Sequence, residues 1–499
     1  MTDLLYALPM IVVLLGAFVL MIMSQSKLSL DKFNIITVLF LFLSLAFQFY
    51  NYSAPYYLDA QEYLFESIFH HAFIIDQFAK LFDVMFTIGS ILTLLINTAY
   101  FKNRNYYNGE YFAIMLFSVF GMMMLAHANE FVSAFIALEI ASLSIYTLVG
   151  YHKNKKVSSE AMMKYIVLGS LAGALFMLGV AFIYGATGST GFEALAAHVR
   201  TVDAANMSLI YVGVTMMMVT IFFKIGAVPF HSWVIDVYHG APSPVTMFMA
   251  STFKIAVFAI ALRLFLVVVA PINDFWIGAL QAITIATLIG GSLLAISQRR
   301  IKRMLAASSI VHTGYMLIAL TAVAMGSSLA APALMFYLIV YFISAVGAFG
   351  IISFLSSQQQ YDMTYDDFKG FADRRPYMAL LMSIFMLSLS GFPSTIGFLG
   401  KFYIFTSAIE SGQFLLTGLG ILTAFISVYY YFKLIAMMYF YSADEEQKKL
   451  PIGISTILIF AMAAMAIWGG VGTNLIPGIP GADDIINFAR EAVNSLAIR

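Results

Sequence analysis

The chain has 499 residues, of which 61% are hydrophobic and only 10% are charged. Soluble globular domains carry roughly 25% charged residues, so the composition excludes an ordinary soluble protein and indicates a multi-span membrane protein. The 26 Lys and Arg residues balance the 26 Asp and Glu residues, which gives no reason to expect a nucleic acid partner. The chain has no cysteine, which excludes disulfides, cysteine-ligated iron–sulfur clusters and cysteine zinc sites.

Apolar runs separated by polar or Pro/Gly-rich breaks predict an all-α polytopic membrane protein with about fourteen transmembrane helices. The first run lacks a basic region before it and is long enough to span a bilayer, so it is interpreted as a helix and not as a cleaved signal. The predicted spans are 4–23, 33–50, 74–99, 111–127, 130–150, 159–184, 206–237, 243–264, 273–297, 302–324, 329–356, 376–408, 413–441 and 451–470.

The basic residues between the spans predict the orientation. Most of them fall in alternate loops, beginning with the loop after the first span: Lys27, Lys32, Lys102, Arg104, Lys153, Lys155, Lys156, Arg299, Arg300, Lys302, Arg303, Lys369, Arg374, Arg375, Lys448 and Lys449. The opposite loops and the termini hold only Arg200, Arg263, Arg490 and Arg499. By the positive-inside rule, both termini should face outward, as should the acidic segment 51–73, which lacks Lys and Arg.

Four titratable side chains on four predicted helices lie near the bilayer midplane. From the helix rise, Glu139 lies about 15 Å from the outer end of its span and Lys254 about 16 Å from the inner end of its own. His312 lies about 15 Å past Lys302, and Lys224 falls near the middle of its span. Charges at this depth are costly and usually face a wet or protein-lined interior. They therefore predict a polar path that runs along the membrane plane.

Two other lysines within the spans have weaker functional signals. Lys80 has Asp76 four residues before it and Asp83 three residues after it, which favours a local ion pair. Lys433 follows three tyrosines and is left without a role, because a long side chain can extend to the membrane surface.

Two spans carry a proline near the centre, Pro229 and Pro393, and each has a lysine nearby, Lys224 and Lys401. Proline interrupts a helix, and a break at membrane depth must face protein or water. Two interrupted helices of opposite predicted direction are typical of an inverted repeat, so spans 4–8 and 9–13 are predicted to be its two units. The predicted units are 1–105 for helices 1–3, 106–265 for the first repeat, 266–442 for the second repeat, and 443–499 for helix 14 and an outward tail.

The sequence lacks the nucleotide, dinucleotide and HExxH zinc motifs, and its histidines are scattered. We therefore predict that this chain binds no cofactor or metal and has no redox chemistry of its own.

Three stretches resemble the proton-translocating, antiporter-like subunits of complex I, the NADH-quinone oxidoreductase. They are FKIGAVPFHSWVIDVYHGAPSPV at 223–245, KRMLAASSIVHTGY at 302–315 and LSGFPSTIGFLGKFY at 389–403. Among these subunits, the DVYHGAPSPV stretch at 236–245 is similar to subunit N. The short tail after the last predicted span also lacks room for the long lateral helix that subunit L would have.

The resemblance implies roles for residues in the first half of the chain. Glu139 and Lys224 would form an ion pair on helices 5 and 7. Lys164 on helix 6 would modulate Glu139, although it lies only about 8 Å from the inner end of its span.

The resemblance also implies that the path continues through the second half. Lys254 and His312 would extend the central polar axis, and Lys401 on broken helix 12 would be its terminal site. Lys401 lies about 13 Å from Glu410, nearer the outer end.

The resemblance further implies partners and a location. Subunits K and M would be direct neighbours, with subunits A, H, J and L in the same membrane arm and lipids around it. FMN, iron–sulfur clusters and quinone would be bound by other subunits. Because no transit peptide is visible, a bacterial inner membrane is expected.

Two alternatives remain open. A subunit of a multi-subunit cation/proton antiporter would share the fold and the Glu/Lys pair, and only the stretch at 236–245 argues against it. A purely structural spacer is disfavoured, because each buried charge is costly to keep without a use.

Overall fold

The computed structural model describes residues 2–26, 28–53, 65–103, 107–200, 203–269, 272–357, 363–442, 453–471 and 481–497. Several residues used for the orientation lie outside this part of the chain: Lys27, Arg104, Lys448, Lys449 and Arg499, with Asp59 and Glu62 of the acidic segment 51–73.

The described residues are almost entirely helical. The helices of the first half are α1 Thr2–Tyr6, α2 Leu8–Met23, α3 Leu30–Ser53, α4 Gln77–Ile96, α5 Thr98–Lys102, α6 Gly109–His127, α7 Phe131–Val149, α8 Lys156–Thr187, α9 Phe192–His198, α10 Ala204–Ile225, α11 Val234–Gly240, α12 Ser243–Phe248 and α13 Lys254–Leu264. Two π-helical segments, Met249–Phe253 and Phe265–Val269, flank α13.

The second half continues in the same way, with one short 3₁₀ helix at Asp366–Phe368. Its helices are α14 Asn273–Ser297, α15 Ile301–Ala324, α16 Ala330–Ser356, α17 Phe371–Arg374, α18 Pro376–Ser390, α19 Ile396–Glu410, α20 Phe414–Phe440, α21 Ile454–Val471 and α22 Ala482–Ala497.

Within the described residues, 12 helices are long and apolar enough to cross a membrane, and α2 and α18 are shorter apolar helices. Together they follow the order of the predicted spans, which confirms the all-α polytopic fold. The third span begins at Gln77 and not at residue 74, because Phe73–Asp76 is a β-strand.

A two-stranded antiparallel hairpin precedes α4. Strand β1 (Phe65–Ile68) pairs with β2 (Phe73–Asp76), so that Phe65 faces Asp76 and Ile68 faces Phe73. A bridge from Phe73 to Ala128 attaches the hairpin to the end of α6. We call this side of the molecule the hairpin side; the basic loops around Lys153, Arg299 and Lys369 lie on the opposite side.

The two interrupted spans end at glycines and not at their prolines. Helix α10 ends before Gly226 (φ 74°), and α18 ends before Gly391 (φ 80°). Glycine adopts this left-handed conformation without steric cost and closes a helix C-terminus. The breaks are therefore where the sequence predicts them, but the helix end is set by glycine, ahead of Pro229 and Pro393.

Side chains from neighbouring segments satisfy the backbone at the first break. Thr313 Oγ1 donates to the Ile225 carbonyl over 2.9 Å, and Trp233 Nε1 donates to the Phe223 carbonyl over 2.9 Å. The Val228 amide donates to a threonine hydroxyl of α14 over 3.0 Å. The break is thus stable at membrane depth because protein groups replace the missing helical hydrogen bonds.

Three spans form the centre of the molecule. The span Ser243–Val269, α15 and α16 are almost entirely buried, whereas α3, α8, α20 and α21 are largely exposed along one face. The π-helical segment Met249–Phe253 directly precedes Lys254. The central spans therefore place Lys254 and His312 in protein and away from the periphery.

Candidate functional site

The structure buries the predicted row of cationic side chains. Lys224, Lys254, His312 and Lys401 are between 3% and 5% exposed. They come from α10, α13, α15 and α19, so four separate helices supply the row. Each side chain has polar or aromatic partners, which is how a membrane interior holds such groups.

Lys224 is held by neutral groups of α7. Its Nζ donates to Ser142 Oγ over 2.6 Å and to Tyr146 OH over 2.8 Å. Glu139 lies on the same helix, but these two described residues form no direct ion pair. The expected direct Glu139–Lys224 contact is therefore absent from this arrangement. Ser142 and Tyr146 accept the hydrogen bonds of the lysine instead.

One carboxylate oxygen of Glu139 lacks a hydrogen-bond donor among the described residues. Its Oε1 is buried and accepts no hydrogen bond from any described residue. A Cβ at Gly173 of α8 would lie 2.9 Å from this oxygen. Glycine therefore lets α8 approach Glu139 closely, and a carboxylate oxygen remains free to accept a proton or a lysine.

Lys254 contacts α15 and α16. Its Nζ donates to the Ser309 carbonyl over 2.6 Å and lies 5.2 Å from the centre of the Tyr341 ring. The carbonyl supplies the acceptor and the ring face supplies a further electrostatic contact for the cation.

His312 lies between two tyrosine hydroxyls. Its Nδ1 is 2.7 Å from Tyr337 OH and its Nε2 is 3.1 Å from Tyr431 OH. In a neutral imidazole one nitrogen donates and the other accepts, so the two hydroxyls take opposite roles. The ring can therefore receive a proton on one side and release it on the other.

Lys401 lies at the second break. Its Nζ donates to the Ser390 carbonyl over 2.8 Å, and Ser390 is the last residue of α18. Lys224 likewise lies in the last turn of α10. The second break thus places an ammonium group at a helix C-terminus, where the carbonyl dipoles favour a positive charge, whereas the ammonium group of Lys224 contacts α7.

Aromatic rings connect the second-half groups. Lys254 Nζ lies 5.2 Å from the Tyr341 ring, which is 5.0 Å from the His312 ring. The His312 ring is 5.7 Å from Tyr315, whose ring lies 4.8 Å from Lys401 Nζ. The three titratable groups are therefore linked by a continuous set of contacts.

Lys164 lies apart from the row. Its side chain is 43% exposed and its Nζ lies 3.0 Å from both Glu160 and Asp236. Arg303 NH1 lies 3.0 Å from the other Asp236 oxygen. From the helix rise, Lys164 is about 13 Å along α8 from Gly173, the residue that faces Glu139.

Asp236 belongs to α11, outside the twelve membrane-length helices, and its side chain is 39% exposed. Burial raises the pKa of Asp236, but the hydrogen bonds from Lys164 and Arg303 outweigh burial and hold the pKa below its ordinary value of 3.8. The network therefore links α8, α11 and α15 through an ionised carboxylate.

The two acids predicted to flank Lys80 each have a further buried partner. Asp76 is paired with Arg263, whose NH1 lies 2.7 Å from Asp76 Oδ2, and both side chains are fully buried. Asp83 is paired with His127 at 2.9 Å. Arg263 is therefore not a loop charge, as it was counted for the orientation, but the cationic half of an internal ion pair.

Lys433 has a contact of its own. Its Nζ lies 4.5 Å from the centre of the Tyr365 ring, near the opposite side. This cation–π contact fits a side chain that extends toward the membrane surface.

The neutral groups that hold the lysines were not predicted from the sequence. Ser142 and Tyr146 follow Glu139 by three and seven residues and share its helix face, so helical spacing could have revealed them. No comparable signal exists for Tyr337 or Tyr431, because they reach His312 from distant parts of the chain. Among the described residues, no group of three or more His, Asp or Glu could hold a metal ion.

Comparison with known families defines the class of this protein. Residues 128–427 match the family model described as NADH:quinone oxidoreductase/Mrp antiporter, TM. The structure is similar to that of the Mrp complex from Dietzia sp., with a TM-score of 0.80 at 18% identity over 99% of this chain and 97% of that chain. The fold is therefore that of the antiporter-like transmembrane subunits.

The closer sequence relatives are more specific. The chain is 37% identical over 427 residues to NADH-quinone oxidoreductase subunit N of Trichlorobacter lovleyi, covering 86% of this chain and 85% of that protein. It also resembles a chain of respiratory complex I from Thermus thermophilus, with a TM-score of 0.77 and 28% identity over 93% of this chain and 97% of that chain. This chain belongs to the family of NADH-quinone oxidoreductase subunit N.

Proposed function

We propose that this chain couples electron transfer from NADH to quinone, carried out by other subunits, to proton translocation across the membrane. The observation that carries the proposal is the buried row of Lys224, Lys254, His312 and Lys401. Cationic groups at this depth are costly to maintain and are typical of proton relays. FMN, iron–sulfur clusters and quinone belong to other subunits of the complex.

The first step of the proposed path is a change of partner by Lys224. Electron transfer in other subunits changes the electrostatic potential at one end of the row. In response, the Lys224 ammonium group moves between Glu139 and a position nearer Lys254. The contacts with Ser142 and Tyr146 support this step, because neutral partners hold the lysine while the Glu139 carboxylate keeps a free oxygen.

The proton then passes along the second half. The two tyrosine hydroxyls on His312 and the contacts from Lys254 to Lys401 support transfer in this direction. Lys401 is the terminal site, from which the proton leaves.

Lys164 takes part indirectly in this proposal. It modulates Glu139 through the position of α8, because its ion pairs with Asp236 and Glu160 hold the end of the helix whose Gly173 packs on Glu139. Loss of these ion pairs would let α8 shift relative to the carboxylate.

The surroundings of the chain belong to the same proposal. Subunits K and M are its direct neighbours, with A, H, J and L in the same membrane arm and lipid on the exposed faces. The membrane is a bacterial inner membrane, and the hairpin side with both termini is periplasmic. Residues 106–265 and 266–442 are the two inverted repeats, preceded by 1–105 and followed by 443–499.

Replacement of the central lysine tests the proposed function. In the intact complex, Lys224→Ala should reduce proton pumping by roughly an order of magnitude or more, because a positioned proton-transfer group is lost. The measurement is proton uptake into vesicles during NADH oxidation, normalised to assembled complex. Lys433→Ala is the matched control, since it removes an intramembrane lysine outside the row. Intact pumping in Lys224→Ala would refute the proposal.

The alternative function is cation/proton exchange as in an Mrp antiporter. The fold similarity to the Dietzia complex supports it, whereas the stretch at 236–245 favours the complex I role. Sodium-dependent proton movement in vesicles without NADH or quinone would favour the antiporter.

A further inference from the structure

A second group of buried titratable side chains lies near the hairpin side, away from the row. Asp83 of α4 and His127, the last residue of α6, are 3% and 2% exposed. Asp83 Oδ2 lies 2.9 Å from His127 Nε2. The function proposed above uses neither residue.

The hydrogen bonds of His127 require a proton between the two side chains. Its Nδ1 lies 2.6 Å from the Ile74 carbonyl of β2. A carbonyl oxygen only accepts, so Nδ1 carries a hydrogen. Nε2 then faces a carboxyl oxygen of Asp83, and the contact is favourable only if an imidazolium donates to the carboxylate or a protonated carboxyl donates to the imidazole. In this geometry the pair therefore holds one proton.

A cavity of about 10 Å³ adjoins the pair. Its polar lining consists of Gln48, Lys80, Asp83 and His127, and Tyr6 contributes a further part of the wall. Asp83 Oδ1 and Gln48 Oε1 are buried and accept no hydrogen bond from any described residue. A cavity of roughly this size with several polar partners has the dimensions for one water molecule, which would join Asp83 to Lys80.

The charges of the side chains around the cavity restrict how many protons these side chains bind together. Asp76 and Arg263 form a fully buried ion pair, so their charges cancel. Lys80 and Asp83 also cancel when both are ionised, and a proton on His127 then leaves one uncompensated positive charge. Because a buried unpaired charge is costly, a proton gained by the pair is best balanced by one lost from Lys80.

We propose that Lys80, Asp83 and His127 form a proton-binding site separate from the row, in which one proton moves between the Lys80 amine and the Asp83–His127 pair. An N–H bond of the Lys80 ammonium breaks, and an N–H bond forms at His127 Nε2, with the proton passing through the cavity and the Asp83 carboxylate. Asp83 lies about 10 Å along α4 from Asp76 at the hairpin. The site would, given the proposed function, serve proton exchange on the hairpin side.

Infrared spectroscopy of the purified complex tests the site. Wild-type difference spectra recorded across a pH series should contain titrating carboxyl and imidazole bands that Asp83→Asn removes. The pH profile of proton pumping should lose one of its limbs in the same variant, an effect that a merely structural role of Asp83 would not produce. Asp83→Glu, which retains the carboxylate, should restore both signals.

Asp203→Asn is the matched control, because Asp203 is an exposed N-cap at the start of α10 on the hairpin side. If Asp83→Asn does not assemble, His127→Gln answers the same question through the imidazole bands. Spectra and pH profiles identical to wild type in the assembled variant would overturn the site. This outcome is independent of Lys224→Ala, whose result decides the proposed function alone.

Discussion

The ion pair between Arg263 and Asp76 is the most deeply buried charge interaction that the structure describes. Two guanidinium nitrogens donate to the two carboxylate oxygens over 2.7 and 3.0 Å, and one also donates to the Ala126 carbonyl over 2.9 Å. Asp76 accepts a further hydrogen bond from the Ala79 amide. Every strong polar contact on this carboxylate is therefore made inside the protein, and loss of one partner leaves a charge that water does not reach.

Arg263→Ala is expected to destabilise the assembled protein by about 3–5 kcal/mol, because it leaves the Asp76 carboxylate buried and unpaired. The measurement is the thermal inactivation midpoint and the yield of assembled complex. Lys102→Ala is the control: it breaks the exposed Lys102–Asp31 pair, with side chains 54% and 45% exposed, which is worth about 0–1 kcal/mol. Equal stability of the two variants would contradict the assigned role of the buried pair.

Asp236 makes the stability of the opposite side depend on pH. The pKa of Asp236 is lower in the folded protein than its ordinary value, so its contribution to stability is present above about pH 4 and is lost as the pH falls through the folded pKa. Because the side chain is 39% exposed, solvent screening limits the effect to below about 1 kcal/mol.

Asp236→Asn should therefore lower the thermal midpoint of the detergent-solubilised complex at pH 6, and the difference from wild type should shrink below pH 4. Glu160→Gln removes the other carboxylate beside Lys164 and serves as a comparison. A difference of the same size at both pH values would show that the ion pairs of Asp236 do not stabilise the fold.

At the scale of elements, the two broken spans end in the same way. Each helix ends before a left-handed glycine, and each break has a lysine beside it. At the second break the Lys401 ammonium donates to the last carbonyl of α18, which carries a partial negative charge and stabilises the cation. At the first break the Lys224 ammonium is held instead by Ser142 and Tyr146 of α7.

Gly391 tests this coupling of break and lysine. A Cβ at Gly391 would lie 2.8 Å from Lys401 Cδ and 3.2 Å from Nζ, so Gly391→Ala should displace the lysine. We expect the variant to assemble but to pump more slowly. Proton uptake per NADH oxidised is the measurement.

Gly412→Ala is the matched control for this variant. Gly412 has a φ of 75°, close to the 80° of Gly391, but a Cβ there would meet nothing within 4 Å. Both substitutions impose backbone strain of about 1–2 kcal/mol, and only one of them moves Lys401. If the two variants pump protons equally well, the close approach of Gly391 to Lys401 is not required for proton pumping.

At the scale of the whole molecule, the surface is apolar on every peripheral span. Exposed aromatic side chains include Phe425 at 72% and Phe440 at 83%. Such a surface is expected to be covered by lipid or by other membrane subunits, because contiguous exposed apolar area is unfavourable in water.

Isolation from native membranes in mild detergent should therefore recover this chain with partners. If the proposed function holds, mass spectrometry will find flavin- and iron–sulfur-bearing quinone-reductase subunits in the same complex. An unrelated polytopic protein from the same membranes, isolated in parallel, controls for adventitious capture. Recovery of small membrane proteins alone, without a redox subunit, would favour the antiporter.

Hydropathy was sufficient to predict the order and approximate bounds of the apolar helices. The common depth of Lys224, Lys254 and His312 stays a prediction, and Lys224 lies in the last turn of α10 because that helix ends at Ile225 and not at residue 237. The hairpin β1–β2 was not predicted, since its strands are short and adjoin a span. Lys164 was expected near the inner end of its span, and its partner Asp236 was not predicted, because it comes from a distant part of the chain.

The sequence by itself determined that the chain is a multi-span membrane protein with titratable groups within its apolar spans, since both properties depend on local composition. Only the tertiary structure decided what those groups contact. Arg263 and Asp76 are 187 residues apart, and His312 and Tyr431 are 119 residues apart. The reason is physical: a hydrogen-bond partner is set by which helices pack together, and that choice depends on contacts between residues far apart in the chain.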